Sequence, residues 1–405
     1  MLLTALAFLV GGPLSIRRAQ VDISPPEPLP LGGYTERHGK VMDGIGDPLY
    51  ARCLELEQGG TKIAIVSVEC LTIPESLYRE VSKRIPADIH LFMQATHTHC
   101  APDSQMLNDR MTFSIPGIAT YRKRWLTWYA DKIASSVTEA LATKPEKTEK
   151  IEAHTAIVAA NRARRKGGKP DPTLTQIVTP GIPNLSGSAL LFTHFTAHPT
   201  IYDENENETR GDWPGRLAKR TGAIVLNGAL GDVSPAADGP TPEAKFATFE
   251  NELSATDKKT AFWIWTPGNG LLSWSDQPIP LDAKRPHPTF AKTYKIPEGL
   301  AKMLVDRFAP PSDDISAIRL GDLAIVGVPG EPTSILGNQI KAAGLKMGFK
   351  SVLVCSHVNG WMGYILDPKD YDRGGYEAEL SFYGREEGKK VVDAAIKALK
   401  GLRPS

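Results

Sequence analysis

Short apolar runs of strand length alternate along this chain with amphipathic stretches of helical period. The strand candidates are rich in Val, Ile and Leu and lie at residues 16–23, 50–57, 62–71, 89–95, 151–159, 189–196, 223–226, 315–320, 323–328 and 351–356. Several are apolar on both faces, which is typical of strands inside a covered sheet. The helix candidates are residues 74–85, 121–141, 214–220, 333–347 and 385–400. The alternation predicts a layered α/β domain.

The balance of charged residues and the few cysteines exclude several classes of function. The chain has 47 Lys and Arg against 46 Asp and Glu, a formal net charge of +1. Binding of nucleic acid through its phosphates requires a basic excess, so no nucleic-acid partner is expected. The 4 cysteines form no CxxC pair, which argues against a disulfide framework or a cysteine-held zinc site. Any metal ion must then be held by histidines and carboxylates.

The amino terminus carries the one candidate targeting segment. Residues 2–10 are apolar and have the length of a signal-peptide core, but no basic residues precede them. Two interpretations stay open. Residues 1–13 are a signal peptide of a secreted or periplasmic protein, or they include a buried first strand of a cytoplasmic one. No stable membrane span is expected anywhere in the chain, whereas peripheral contact with a membrane stays open.

A long irregular insertion between core elements is expected at about residues 238–314. This stretch mixes Pro, Gly and aromatic residues, among them Trp263, Trp265 and Trp274. Long irregular segments between core elements are either functional or disordered. The insertion is therefore interpreted either as a lid or wall of a substrate site or as a packed subdomain without a role in binding.

The strongest functional signal is a pair of histidines at the end of a strand candidate, in Thr96-His97-Thr98-His99. In an extended backbone alternate side chains share a face, so the two imidazoles are expected to point the same way. Converging imidazoles suit a metal ion, or one ligand beside an acid–base residue. Two hydrogen-bonded structural histidines are the alternative interpretation.

Other polar side chains also follow apolar runs. His198 precedes a proline, Glu331 follows Pro329-Gly330, and Asp232 and Ser234 lie in a glycine-punctuated turn. Taken alone, Glu331 is more readily explained as a cap that complements a helix dipole. Because α/β folds place their sites at strand ends, these residues are candidates for one common site. Histidine and glutamate ligands with an open position would make a catalytic zinc site.

Taken in order, these segments resemble the catalytic domain of the neutral/alkaline non-lysosomal ceramidase family, over residues 15–395. The segments that carry the resemblance are Val21 to Pro26, Gly33-Tyr34, Asp47 to Arg52, Thr96 to His99, Asn161-Arg162, His198-Pro199, Gly231 to Pro235, Pro329 to Glu331, and Asn359 with Tyr364, Tyr371 and Tyr376. The resemblance implies layered mixed β-sheets flanked by helices. Because the matched site residues run from His97 to Tyr376, residues 14–405 are expected to form a single zinc amidohydrolase catalytic domain, without the carboxy-terminal β-domain of full-length ceramidases.

The resemblance also implies the site residues. The zinc ligands that it implies are His97, His198, Glu331 and Tyr364. The residues that match positions around the scissile amide, suited to proton transfer and oxyanion stabilisation, are His99, Arg162 and Tyr376. Ser234 matches a serine interpreted either as a nucleophile or as a hydroxyl that positions the substrate. We favour positioning, because a zinc-bound hydroxide already supplies the attack.

The implied activity is zinc-dependent hydrolysis of an N-acyl amide, with an N-acyl sphingoid or related lipid as substrate. Two departures indicate a rebuilt pocket wall, namely Cys100-Ala101-Pro102 in place of Ser-Gly-Pro and Gly211 to Gly215 in place of Gly-Asp-Asn. Two alternatives stay open, a zinc hydrolase of a small soluble amide or ester, and a non-catalytic zinc-stabilised binding protein.

Arg162 is expected to point into the site, and Arg164 and Arg165 to lie in a solvated loop.

Overall fold

The structure is a computed structural model that describes residues 12–180, 188–254, 259–267 and 269–402. Its strands are β1 (Leu14–Asp22), β2 (Gly44–Ile45), β3 (Tyr50–Gln58), β4 (Thr61–Val68), β5 (Ile89–Ala95), β6 (Glu146–Thr148), β7 (Ile151–Ile157), β8 (Asn161–Ala163), β9 (Thr173–Pro180), β10 (Ser188–Phe195), β11 (Glu208–Thr209), β12 (Ile224–Asn227), β13 (Val233–Pro235), β14 (Lys259–Trp265), β15 (Leu272–Pro278), β16 (Asp314–Leu320), β17 (Leu323–Gly327), β18 (Glu331–Pro332), β19 (Ser351–Cys355) and β20 (Tyr364–Ile365). Its helices are α1 (Glu75–Ser82), α2 (Lys123–Ala142), α3 (Asp212–Thr221), α4 (Pro242–Ser254), α5 (Phe290–Thr293), α6 (Glu298–Phe308), α7 (Ser334–Lys346), α8 (Pro368–Arg373), α9 (Tyr376–Glu379) and α10 (Glu387–Gly401).

Three larger mixed sheets form the body of the domain. Their strand orders are β5-β4-β3-β1-β6, β12-β10-β9-β7-β14 and β15-β16-β17-β19. Apolar residues of all three sheets meet in one fully buried cluster, for example Ile16, Ile177 and Ile325. Helices α1 and α2 cover the first sheet, α3 and α4 the second, and α7 and α10 the third. The predicted α/β fold of layered mixed sheets flanked by helices is confirmed.

Each large sheet contains one parallel pair, and these pairs direct the chain toward a common point. The pairs are β4 with β5, β10 with β12, and β17 with β19. The segments that leave β5, β10, β17 and β19 carry the histidines and the glutamate described below. The sequence analysis expected the site at the ends of strands, and here the strand ends of three sheets contribute to it rather than those of one sheet.

Two buried amide side chains join these strand ends. Gln94 on β5 donates from Nε2 to the carbonyl of Asn227, the last residue of β12 (2.6 Å), and to the carbonyl of Ser356, directly after β19 (2.8 Å). Asn227 at the end of β12 donates from Nδ2 to the carbonyls of Thr96 (3.2 Å) and Ala197 (2.9 Å). Both amide residues are fully buried. One small network thus fixes the ends of all three sheets relative to one another.

Residues 238–314 were expected to be an irregular insertion, but most of the segment consists of regular helices and strands, so this expectation is wrong. The segment contains α4, β14, β15, α5 and α6, and its strands are sheet edges that pair with β7 and β16. Edge strands bury little apolar surface, so their sequences lack the continuous Val, Ile and Leu runs used to recognise strands. Aromatic side chains anchor these two strands instead. Trp265 of β14 is buried, and Trp274 of β15 stacks on His90 with 5.0 Å between the ring centroids.

Strand β9 is the most central element that the sequence did not indicate. Its residues Thr173–Pro180 alternate Thr and Gln with apolar residues and form no apolar run.

The signal-peptide interpretation falls mainly on residues 1–11, which lie outside the described residues, and β1 begins at Leu14. Among the described helices, none combines the length and the apolar character needed to cross a bilayer.

The amide network yields a prediction about stability. Replacing Asn227 by Ala removes the donor to two buried carbonyls and the acceptor for the Ala197 N–H (3.3 Å). We expect the free energy of unfolding to fall by about 2–4 kcal/mol, because buried unpaired groups keep their desolvation cost. Urea denaturation followed by circular dichroism measures the change.

The matched control is Asn338→Ala, which removes an amide that donates to the carbonyl of Lys169 at the surface. Its loss should cost less than about 1 kcal/mol, because water replaces the partner. Equal losses in the two variants would contradict a special role for the buried network.

Candidate metal centre

The structure brings together the four residues for which the resemblance implies metal binding. His97 follows β5, His198 follows β10, and Glu331 begins β18. Tyr364 begins β20, which pairs with β18 in parallel so that Glu331 and Tyr364 are direct neighbours. All four residues are buried. The pairing of two two-residue strands, far apart in sequence, explains why a tyrosine joins the cluster.

The donor atoms are spaced as the ligands of one small ion would be. The Glu331 Oε2 atom lies 3.6 Å from His97 Nε2 and 3.4 Å from His198 Nε2. The Tyr364 hydroxyl lies 3.4 Å from the same His198 nitrogen. Tetrahedral ligands at the usual zinc distances of about 2.0–2.1 Å lie about 3.3–3.4 Å apart. The geometry therefore fits a single bound metal ion.

Backbone carbonyls orient the two imidazoles. The Nδ1 atom of His97 lies 2.7 Å from the carbonyl of Leu71, and that of His198 lies 3.1 Å from the carbonyl of Val233. A carbonyl only accepts, so each Nδ1 carries the proton and each Nε2 presents its lone pair to the cluster. This is the arrangement by which protein groups around a metal site hold its histidines.

Burial sets the protonation of the cluster. It lowers the pKa of His97 and that of His198, so both imidazoles are neutral near pH 7. Burial by itself raises the pKa of Glu331, but the imidazoles of His97 and His357 and the polar hydrogens of Tyr364 and Trp361 hold it below its usual value. A carboxylate among neutral imidazoles is ready to bind a cation without first losing protons.

His99 also joins the cluster, although by a different route from the one expected. Strand β5 ends at Ala95, and His97 has a left-handed backbone with φ of 69°. The two imidazoles therefore meet through a turn, with their Nε2 atoms 3.3 Å apart, rather than by strand alternation. Gly33, with φ of 89°, lies against His99, and a Cβ there would be 2.5 Å from the imidazole Cγ. This close approach requires glycine.

His357 is a member of the cluster that the sequence analysis missed. Its ring is fully buried, stacks on His97 with 4.1 Å between centroids, and places Nε2 3.9 Å from Glu331 Oε1. Asn359 holds this segment against β5 through bonds to Met93 N–H (2.8 Å) and the carbonyl of Leu91 (2.9 Å). The available signal was its position directly after a strand candidate, the same signal that indicated the other histidines.

Unpaired buried atoms support the presence of a metal ion. Within the described residues, Glu331 Oε2 and both ring nitrogens of His357 have no hydrogen-bond partner. Two groups of donors could hold an ion, His97 with His99 and His198, and His97 with Glu331 and His357. Because His97 offers only Nε2, the two groups share one donor atom and cannot both be complete at the same time. The donors fit one ion of the class that prefers nitrogen and oxygen ligands.

Arg162 does not reach the cluster, contrary to expectation. Its side chain is exposed and pairs with Asp238 at 3.1 Å, while its backbone lies opposite Ser234 in the β8–β13 pair. Arg164 takes the inner position. Its Nη2 atom lies 3.1 Å from His198 Nε2, donates to the carbonyl of Gly231 at 2.7 Å and lies 3.5 Å from the Tyr364 hydroxyl. Strand β8 ends at Ala163, so strand alternation does not fix where Arg164 points.

The side chain of Arg165 is buried, with 8% exposed, and that of Arg164 reaches the cluster, so the expectation that both lie in a solvated loop is wrong. The Arg165 guanidinium donates to Glu377 Oε2 (2.7 Å) and to the carbonyls of Asp370 (2.9 Å) and Gly374 (3.0 Å). These bonds fix α8, α9 and the turn between them. Tyr376 begins α9, and its ring meets that of Tyr364 edge-on at 5.8 Å, with 54% of the residue exposed.

Three other residues singled out in the sequence are Ser234, Asp232 and Cys100. Ser234 is half-buried, next to Val233, whose carbonyl orients His198. Asp232 is buried and accepts the N–H (2.6 Å) and the hydroxyl (3.0 Å) of Ser334, so it caps α7 and leaves Glu331 free for the cluster. Cys100 is buried beside Arg37, and burial raises the pKa of its thiol to about 12, which is unsuited to a nucleophile.

Comparisons with known proteins agree with the fold described above. No protein-family model matches the chain. A stretch of 92 residues, 22% of this chain, is 29% identical to the neutral ceramidase of Mycobacterium tuberculosis, but it spans only 14% of that protein. The structure of neutral ceramidase from Pseudomonas aeruginosa matches 97% of this chain and 76% of its own, with a TM-score of 0.74 at 16% identity. A structure of a ceramidase complexed with C2 matches 97% of this chain and 75% of its own, with a TM-score of 0.76 at 16% identity.

The fold and the cluster define a protein of layered mixed sheets with a candidate metal site where the three sheets meet. That fold is the one seen in neutral ceramidase, over about three quarters of the length of the solved chains. The resemblance inferred from the order of motifs is thus confirmed.

The cluster yields a prediction about metal binding. We expect chelator-treated protein to take up about one equivalent of a divalent transition-metal ion, because the donors converge on one position. Glu331→Gln should weaken this binding by more than about 100-fold, since it removes the carboxylate charge from a buried site. Competition with a coloured chelator measures the affinity.

His154→Ala is the matched control, because this half-exposed histidine on β7 pairs with Glu152 outside the cluster. It should leave the metal affinity unchanged. Uptake of no metal by the unaltered protein, or equal affinity in the two variants, would refute the assignment.

Proposed function

We propose that the protein is a zinc-dependent hydrolase that cleaves an N-acyl amide, with an N-acyl sphingoid or a related N-acyl lipid as substrate. The observation that carries the proposal is the convergence of His97, His198 and Glu331 at 3.4–3.6 Å within a ceramidase fold. Zinc is the ion that this combination of imidazole and carboxylate donors suits in a hydrolase. The alternative function is hydrolysis of a small soluble amide or ester at the same centre. Comparing lipid and soluble substrates in the test below distinguishes the two functions.

The residues of the chain divide the work in the proposed reaction. His97, His198, Glu331 and Tyr364 would hold zinc, which supplies a water of lowered pKa and polarises the amide carbonyl. His99 lies 3.3 Å from His97 Nε2 and is the nearest additional imidazole for moving a proton. Burial lowers the pKa of His99 well below its usual value, so it enters the reaction as a neutral base.

Arg164 is the cation that the proposal assigns to the developing oxyanion. It is fixed by the carbonyl of Gly231 and lies beside the Tyr364 hydroxyl, and part of its side chain remains exposed toward solvent. A positioned guanidinium of this kind stabilises the negative charge of a tetrahedral intermediate. Tyr376 and Ser234 are assigned to positioning the substrate at the exposed rim of the centre.

Hydrolysis of an N-acyl sphingoid amide, measured by release of the amine, tests the proposal. The zinc-loaded protein should release amine, chelation should abolish the activity, and added zinc should restore it. His97→Ala should reduce turnover to background. Cys100→Ser, which keeps a small buried side chain, should retain both zinc and activity. Zinc-loaded protein that cleaves only soluble amides or esters would refute the lipid substrate, and activity that survives in His97→Ala would refute the metal mechanism.

The two arginines provide a separate prediction. Arg164→Ala should lower kcat/KM by about 10²–10³-fold, the usual effect of removing one oxyanion donor. Arg162→Ala removes an exposed ion pair with Asp238, worth about 0–1 kcal/mol, and should change kcat/KM by less than about fivefold. Steady-state kinetics on one soluble amide measure both. The opposite order of effects would show that Arg162 is the residue that acts on the substrate.

A further inference from the structure

An exposed surface of apolar and basic residues adjoins the metal centre on α5, α6 and α9. Its apolar members are Tyr294 just after α5, Leu300 and Met303 on α6, and Tyr376 on α9, which are 41%, 37%, 41% and 54% exposed. Single exposed apolar residues are common on proteins, but several on neighbouring elements indicate an interaction surface. We call these residues, with the cations named below, the α5–α6 surface.

The fold holds this surface outward. Helix α6 buries Ala301, Leu304 and Val305, so Leu300 and Met303, three residues apart, lie together on its outer face. Helix α5 is tied to α9 because the hydroxyls of Thr289 and Thr293 both donate to Glu379 Oε1, at 2.8 and 2.6 Å. The surface is therefore continuous with the segment that carries Tyr376.

Tyr376 links the surface to the metal centre. Its ring meets Tyr364 edge-on at 5.8 Å, and Tyr364 is one of the buried residues of the cluster. A substrate that approaches over the α5–α6 surface thus meets Tyr376 before it meets the donor atoms. This is the order of contacts that a lipid leaving a bilayer would follow.

The charge of the surface indicates what it contacts. Its cations are Lys292, Lys295, Lys302 and Arg307, all exposed, and they outnumber the exposed acids of α6, Glu298 and Asp306. None of them forms a salt bridge with a carboxylate of the described residues, whereas nearby Lys284 pairs with Asp306 at 2.7 Å. Unpaired cations around exposed apolar side chains are typical of a surface that lies on anionic lipid headgroups.

We propose that the α5–α6 surface docks the protein on an anionic lipid surface and presents the metal centre to lipids held there. The inference rests on the proposed function, because the docked membrane supplies the lipid amide. Leu300 and Met303 enter the headgroup region and the lysines contact anionic headgroups. A water-soluble amide would reach the same centre without this surface.

Binding to vesicles tests the inference without any catalytic reaction. The zinc-loaded protein is mixed with vesicles of phosphatidylcholine, with or without phosphatidylglycerol, and the bound fraction is measured by flotation. We expect tighter binding to the vesicles with phosphatidylglycerol and weaker binding at high salt. The double variant Leu300→Glu with Met303→Glu should bind at least about tenfold more weakly. Replacing Lys292 and Lys302 by Gln should weaken binding to the anionic vesicles by about fivefold for each lysine.

The charge-matched control is Ile157→Glu with Leu345→Glu, which alters two exposed apolar residues on β7 and α7. It should bind vesicles like the unaltered protein. Equal loss in this control would overturn the inference, as would a change of oligomeric state in the Leu300 and Met303 variant, which would identify a second copy of the chain as the occupant.

Hydrolysis separates this inference from the proposed function. The Leu300 and Met303 variant should keep its rate on a soluble short-chain amide and lose activity on amide embedded in vesicles. A protein that hydrolyses amides but does not bind vesicles overturns the docking surface alone. A protein that binds anionic vesicles through this surface but hydrolyses no amide supports docking and overturns the proposed function alone.

Discussion

The candidate site depends on the buried amides that join the ends of three sheets. Gln94 and Asn227 hydrogen-bond the main chain beside the segments that carry His97, His198 and His357. Each sheet alone would leave its strand end as an independent loop. Because buried carbonyls must be paired, the network allows one relative placement of the three ends. This main-chain arrangement brings the imidazoles of His97, His198 and His357 together, and the β18–β20 pair adds Glu331 and Tyr364.

The same placement leaves the centre under local strain. His97 and His357 both have left-handed backbones, with φ of 69° and 54°, a conformation that is uncommon for residues other than glycine. Glu331 and His357 carry buried atoms without a hydrogen-bond partner. Such features cost about 1–3 kcal/mol each and persist only where the surrounding structure fixes them. Binding of a metal ion at this candidate site would account for their concentration at one point.

The two arginines and the 238–314 segment show where sequence patterns stop being informative. Arg162 and Arg164 are two residues apart in one basic run, and it is Arg164, one residue beyond the end of β8, that reaches the cluster. In the 238–314 segment, strands β14 and β15 complete the edges of two sheets, β14 with an aromatic-rich run and β15 with no apolar run at all. Its helices α5 and α6 carry exposed apolar residues that no periodicity in the sequence distinguished from core residues.

The sequence by itself determined the α/β class, most strand positions and the histidines at strand ends, because burial on both faces leaves continuous apolar runs. The motif order added Tyr364 and favoured Glu331 as a metal ligand over its interpretation as a helix cap. Only the tertiary structure decided which polar residues meet. His357 joins the cluster because Asn359 binds its segment to β5, and Tyr364 faces Glu331 because β20 pairs with β18. These are contacts between segments distant in the chain, and local sequence patterns carry no information about such pairings.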